Sequence, residues 1–174
     1  MPPSGQFASL NPAGMRREEF AAAFGGIFEG APWVAEAVWE DGVGEGDNDV
    51  LRMHRRMCEI VYAADATRRH ALVCGHPELS ARMRRRDNIA ADSLREQKGA
   101  GLDGLDEDES KMLAKLNRGY RGKFGFPFIL AVGGLGKEEI FAALHDRIKN
   151  DAQSERENAL REICGIALLR LRRL

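Results

Sequence analysis

The sequence predicts an all-α fold, and three observations carry that expectation. Apolar residues recur at helical spacing from Phe20, Phe24, Ile27 and Phe28 near the start to Leu160, Ile163, Ala167, Leu171 and Leu174 at the end. Only one stretch, residues 126–132, reads as a strand, and one strand cannot make a sheet. Glycine, proline and capping residues punctuate the chain at intervals suited to helices. With 174 residues, 44% hydrophobic and 30% charged, the chain can bury a real core. A single domain over residues 1–174, with 1–14 irregular, and a bundle of about seven to nine helices are expected.

Taken in order, Asn11-Pro12 marks a turn before a first helix over residues 16–28. Gly30-Ala31-Pro32 breaks it, and Pro32 suits the first position of a short helix carrying Trp33, Val34, Ala37 and Val38. Residues 41–49, DGVGEGDND, form a polar loop whose last residue can cap the next helix. That long helix starts at Val50, with Leu51, His54, Met57, Cys58, Val61 and Tyr62 assigned to one face. Thr67 can cap a helix over 68–74, which stops at Gly75 and His76-Pro77 because a residue before proline is driven out of helical geometry. Residues 80–92 are basic, then polar: a solvated connection or a short helix. Ser93 and Glu96 have the capping-box spacing, and Gly99 and Gly101 end that element. Asp106 and Glu109 repeat the spacing before a helix over 107–123, with Met112, Leu113, Leu116 and Tyr120 as its apolar stripe. A helix over 137–149 buries Ile140, Phe141, Leu144 and Ile148, and the last helix spans 154–174.

Several function classes are disfavoured. A net charge of −1 gives no global attraction for nucleic acid or an anionic membrane, and RMRRRD at 82–87, without interleaved aromatics, reads as a solvated face. No apolar run approaches the roughly 20 residues that cross a bilayer, and MPPSGQFASLNPAGM lacks the parts of a secretory signal. Cys58, Cys74 and Cys164 are widely spaced and form no C-x-x-C pair, so they read as reduced thiols in a cytoplasmic protein. His54, His70 and His145 lie within helices and make no H-x-x-x-H or H-E-x-x-H spacing, so no metal site is expected. Gly133-Gly134-Leu135-Gly136 lacks the lysine and βαβ setting of a phosphate loop and reads as a turn.

Two stretches remain for chemistry: residues 75–102, GHPELSARMRRRDNIAADSLREQKGAGL, and residues 124–132, FGFPFILAV. His76 lies between glycine and proline at a helix end, where an exposed capping histidine is common but where sites are also built. Glu96 can cap its own helix or serve as a site carboxylate, and Gln97 can face solvent or a ligand. Arg170 falls in the sector of Ile163, Ala167 and Leu174, from which it either snorkels outward or clamps an anionic or carbonyl-rich ligand.

The motifs FGGIFEGAPWVAEAVW, GHPEL, SLREQKGAGLDGL, LNRGYRGKFGFPFI and ENALREICGIALLRL, in this order, resemble the 2-oxo-4-hydroxy-4-carboxy-5-ureidoimidazoline (OHCU) decarboxylases from about Phe20 to Leu171. The resemblance implies an all-helical, cofactor-free decarboxylase converting OHCU, a product of urate oxidation and ring opening, into (S)-allantoin. It implies His76, Glu96 and Arg170 as catalytic residues, with His76 the proton donor. It also implies a substrate pocket made by Pro77, Ser93, Leu94, Arg95, Glu96, Gln97, Phe128, Ile129, Leu130, Ala131 and Val132. The partner implied is a small molecule, and the assembly implied is a homodimer. The arginine-rich span after HPEL and the loop at 41–49 depart from the family pattern. A related lyase for another small ureido or imidazoline acid is the near alternative, and a non-catalytic helical binding module is the distant one.

Overall fold

The computed structural model describes residues 5–79, 95, 96, 98 and 100–174. Among them are seven α-helices and no β-strand: α1 (Arg17–Phe24), α2 (Trp33–Glu40), α3 (Val50–Ala63), α4 (Ala66–Cys74), α5 (Glu107–Phe124), α6 (Lys137–Arg147) and α7 (Ala152–Leu171). The fold is all-α, as expected. The connection over 80–92, and the cap expected at Ser93, lie outside the described residues; Arg95, Glu96 and Lys98 are helical. The chain divides into two compact units, Met1–Leu72 with Ala167–Leu174, and Val73–Ile166.

In the first unit, α1 opens with Glu19 accepting the Arg16 N–H at 2.8 Å. It ends at Gly25 rather than at residue 28, because two adjacent glycines lack helix propensity and the Gly25 N–H closes the last turn on the Ala21 carbonyl. Ile27 and Phe28 are still buried, but from a turn. Phe20 stacks against Phe24 at 4.5 Å and Trp39 at 5.4 Å, so α1 and α2 share an aromatic core. The loop at 41–49 contains a 3-10 turn, Glu45–Asn48, built around buried Asp47. Its carboxylate accepts from the Gly44 N–H at 2.9 Å and from Arg56 at 2.6 Å. Burial alone would raise the Asp47 pKa; these hydrogen bonds and the Arg56 charge hold it below the usual value.

Asp49 caps α3 as expected, accepting the Arg52 N–H at 2.8 Å. The buried face of α3 is rotated from the one expected: Val50, Met53, Met57, Cys58 and Val61 are buried, while Leu51 and Tyr62 are about half exposed at 50% and 47%. Met53, absent from the expected face, is fully buried, and its long unbranched side chain fills the core there. Asp65, not Thr67, caps α4, accepting the Arg68 N–H at 2.9 Å.

In the second unit, Asp106 and Glu109 form the expected capping box at the start of α5. Gly125 ends α5 at φ +82°, a left-handed position that glycine adopts without a Cβ clash. Leu113, Asn117 and Tyr120 form the buried stripe, whereas Met112 is 53% exposed. Tyr120 packs on Phe124, Phe126 and Phe128 with centroids 4.6, 5.9 and 5.2 Å away. Lys123 donates to the carbonyls of Ile148 and Asn150, both at 2.8 Å, tying the end of α5 to the end of α6. Asp151 caps α7 through the Ser154 N–H at 2.9 Å.

At the centre of this unit lies Glu155, whose side chain is fully buried. It accepts from the Tyr120 hydroxyl at 2.5 Å, Arg147 Nε at 2.6 Å and Asn150 Nδ2 at 2.8 Å. Burial would raise its pKa, but the hydrogen bonds and the Arg147 charge prevail and hold it below the usual glutamate value. Burial and the same hydrogen bond push the Tyr120 phenol far above its ordinary value.

Met57→Ala should cost about 2–5 kcal/mol in urea unfolding, while Leu51→Ala should stay within about 0.5 kcal/mol; equal losses would mean that α3 is rotated otherwise. Because the folded pKa of Glu155 is depressed, its contribution is complete above the unfolded value of 4.5 and is lost as pH falls through the folded value. Urea titrations from pH 7 downward should show stability falling on that acid limb, and Glu155→Gln should lower the neutral plateau and flatten the limb.

Candidate active site

Most of the site is assembled from stretches that are not helical. α4 ends at Cys74, and the His76 N–H makes a turn on the Val73 carbonyl at 3.4 Å. The His76-Pro77 step then carries the chain out of the helical path. Further on, buried Asn117 of α5 donates to the Leu79 carbonyl at 2.7 Å. The HPEL segment is thus anchored to α5 at its far end.

The second stretch, residues 126–132, belongs to neither a helix nor a strand, and among the described residues no strand pairs with it. Phe126, Phe128 and Ile129 are almost wholly buried at 1%, 0% and 1% exposure, which explains why the run is so apolar without belonging to a sheet. Side chains take the place of a partner strand. Arg147 of α6 donates to the Ile129 carbonyl at 2.6 Å, and Glu162 of α7 accepts the Ala131 N–H at 2.8 Å. The Leu135 N–H bonds to the Val132 carbonyl at 3.0 Å, and Gly134 sits at φ +84°, so the glycine run is the turn expected of it.

These two stretches and Glu96 line one cavity in the second unit. His76, Pro77, Glu96, Phe128, Ile129, Leu130 and Val132 form its wall together with Leu79 and Ile166. Glu96 is 8% exposed, which fits a site carboxylate better than a solvated helix cap. Chemically, the cavity joins one imidazole and one carboxylate to an apolar wall. Such a set can exchange protons with a small polar molecule while excluding most water.

Of the other residues expected at the site, Ala131 and Arg95 are not among those that line this cavity. Ala131 is half-buried with its amide on Glu162, and Arg95 is exposed. Ser93, Leu94 and Gln97 lie outside the described residues. Arg170 belongs to the first unit and is 3% exposed, so it does not snorkel into solvent. It donates to the Ile27 carbonyl at 3.2 Å and lies 3.4 Å from Glu29. Leu79 and Ile166 were not anticipated. Leu79 is the last residue of the HPEL motif, and Ile166 falls on the inward stripe of α7, so both carried a legible signal.

Among the described residues, no group of three or more His, Cys, Asp or Glu side chains is placed to hold a metal ion. No helix among them is long and apolar enough to cross a membrane.

Known proteins share both the sequence pattern and the architecture. The sequence matches the family described as OHCU decarboxylase over residues 13–172. It is 38% identical over 160 residues to the uric acid degradation bifunctional protein of Bacillus sp. (strain TB-90), covering 92% of this chain and 30% of that protein. It is 34% identical to the 2-oxo-4-hydroxy-4-carboxy-5-ureidoimidazoline decarboxylase of Amia calva, covering 88% of this chain and 86% of that one. Against the protein of the same description from Halalkalicoccus jeotgali the identity is 35%, with 91% and 86% covered. The chain therefore spans 30% of the length of the bifunctional relative and most of the length of the other two.

Among solved structures, the chain is similar to an (S)-allantoin synthase, with a TM-score of 0.72 and 29% identity over 90% of this chain and 50% of that one. It also shares the fold of an OHCU decarboxylase crystallised in the presence of (S)-allantoin, with a TM-score of 0.65 and 23% identity over 83% of this chain and 91% of that one. A family match over nearly the whole sequence, with relatives above 30% identity covered along most of their own length, makes this chain a member of the OHCU decarboxylase family.

Proposed function

We propose that the chain is a cofactor-independent carboxy-lyase that converts OHCU into (S)-allantoin in urate degradation. The observation that carries this reading is the meeting of His76 and Glu96 on one apolar-walled cavity in a member of this family. A small-molecule substrate, a cytoplasmic location and a homodimeric state accompany the proposal, on the strength of the motif resemblance.

The chemistry suits these residues. When the carboxylate leaves as CO₂, the electron pair of the broken C–C bond passes into the adjacent C=N bond of the imidazoline ring. The substrate therefore supplies its own electron sink and asks the protein for positioning and proton transfer. The ring left behind is enol-like, and it becomes allantoin when a proton is added at the carbon bearing the ureido group. His76 is proposed to deliver that proton from one face, which sets the configuration. Phe128, Ile129, Leu130 and Val132 give the departing carboxylate an apolar surrounding, which favours neutral CO₂ over the anion. Glu96 holds the ureido N–H groups or orients His76. The resemblance assigns Arg170 the role of a guanidinium donor that stabilises developing negative charge.

A coupled assay tests this reading, because OHCU must be generated in place. Urate oxidase and hydroxyisourate hydrolase would feed the purified protein while circular dichroism follows optically active allantoin. Rapid formation of the (S) enantiomer is expected; racemic allantoin at the spontaneous rate would dismiss the assignment. His76→Ala should reduce kcat by about 10²–10⁴-fold, the usual contribution of a positioned acid, with its unfolding midpoint unchanged. Glu96→Gln should also lose activity, and an increase confined to KM would assign Glu96 to substrate binding.

A further inference from the structure

The cavity wall formed by Ile129 and Leu130 has no neighbouring strand among the described residues, so something else must fix its peptide planes. Arg147 does this on two sides at once. Its Nη1 donates to the Ile129 carbonyl at 2.6 Å, and its guanidinium lies 4.7 Å from the ring centroid of Phe128. Both Phe128 and Ile129 line the cavity, whereas Arg147 and Glu155 do not. The other side of the guanidinium is held by Glu155, whose Oε1 accepts from Nε at 2.6 Å; Nη2 lies 2.5 Å from the same oxygen as an ion pair and makes no hydrogen bond of its own. Glu155 is itself fixed by Tyr120, Asn150 and Asn158. The described residues include no cis peptide, so the peptide joining Ile129 to Leu130 is trans and planar. With the Ile129 carbonyl directed at Arg147, the Leu130 N–H must point the opposite way.

We infer that Arg147, locked by Glu155, is a positioning residue for the substrate wall: it sets the orientation of the Ile129–Leu130 peptide and the ring of Phe128 without touching substrate. A buried ion pair is weak evidence for stability in itself, since apolar replacements are often as stable. Its fork geometry is what a positioning role requires. The two ends of one guanidinium grip a carboxylate and a carbonyl together, which an ammonium cannot reproduce. The inference rests on the decarboxylase reading for its kinetic consequence but not for its structural one.

The test uses Arg147→Lys, which keeps a positive charge opposite Glu155, and Arg147→Met/Glu155→Leu, which removes both charges together. Tyr120→Phe is the control, since it takes a hydrogen bond from Glu155 and leaves Arg147 in place. Two readouts are needed. In the unliganded proteins, amide hydrogen exchange at Ala131 should speed up by about tenfold or more in the two Arg147 variants relative to the control. In the coupled assay, the same variants should raise KM by about tenfold with a smaller change in kcat, as expected when a binding surface loses its set geometry. Exchange and KM that track only the loss of global stability, equally in Tyr120→Phe, would overturn the inference. If Arg147→Lys fails to fold, the double variant, which strands no charge, supplies the decision. Should the wild-type chain fail to turn over OHCU, the functional reading falls, and the exchange measurement still decides the positioning role.

Discussion

The second unit is organised around a carboxylate that has left water entirely. Glu155 is stable as an anion there because a phenol, a guanidinium and two amides converge on it. Those donors come from α5, α6, the turn after α6 and α7 itself, so one buried charge cross-links the elements around it. Tyr120 carries the link onward through its ring, which packs against three phenylalanines of the 124–128 segment. Arg147 carries it onward through Nη1 to the cavity wall. Polar satisfaction and aromatic packing are thus joined in the same side chains. The first unit shows a smaller version of this arrangement in Asp47, with Arg56 and the Gly44 amide as its donors.

The elements are legible in the sequence where local chemistry alone decides them. The capping box at Asp106 and Glu109, the cap at Asp49 and the stop at His76-Pro77 depend on a few neighbouring residues, and the structure has them as read. Helix rotation is the property that stays ambiguous. On α3, Leu51 and Tyr62 are as apolar as Met53, and only packing from outside the helix decides which sector is covered. The same holds for Met112 on α5, where Asn117, a polar residue, takes an inward position because the Leu79 carbonyl needs a donor. The apolar run at 126–132 is recognisable as buried, but its character as a cavity wall outside any sheet depends on Arg147 and Glu162, both distant in sequence.

The site residues divide along a similar line. His76, Pro77, Glu96 and the 128–132 segment are marked by motif resemblance, and most of them meet on one cavity. Spacing alone leaves His76 and Glu96 with ordinary explanations, a helix end and a cap. Burial of Glu96 beside an apolar wall is the fact that separates those explanations, and burial is not a local property. Glu155 and Arg147 escape a reading of the sequence because a carboxylate and an arginine eight residues apart look like two solvent-facing positions on neighbouring helices.

The wall at 128–132 has a consequence for how such a site can change over time. Where the peptide groups of a cavity wall are tied to side chains outside the wall, exchanging a wall side chain leaves those ties in place, so ordinary substitutions at Ile129 or Leu130 alter bulk and leave that polar pattern intact. That pattern is encoded instead at Arg147 and Glu162, on helices beside the pocket. Inheritance of the polar geometry and inheritance of the pocket's shape are therefore written at different positions, and each is free to drift without the other.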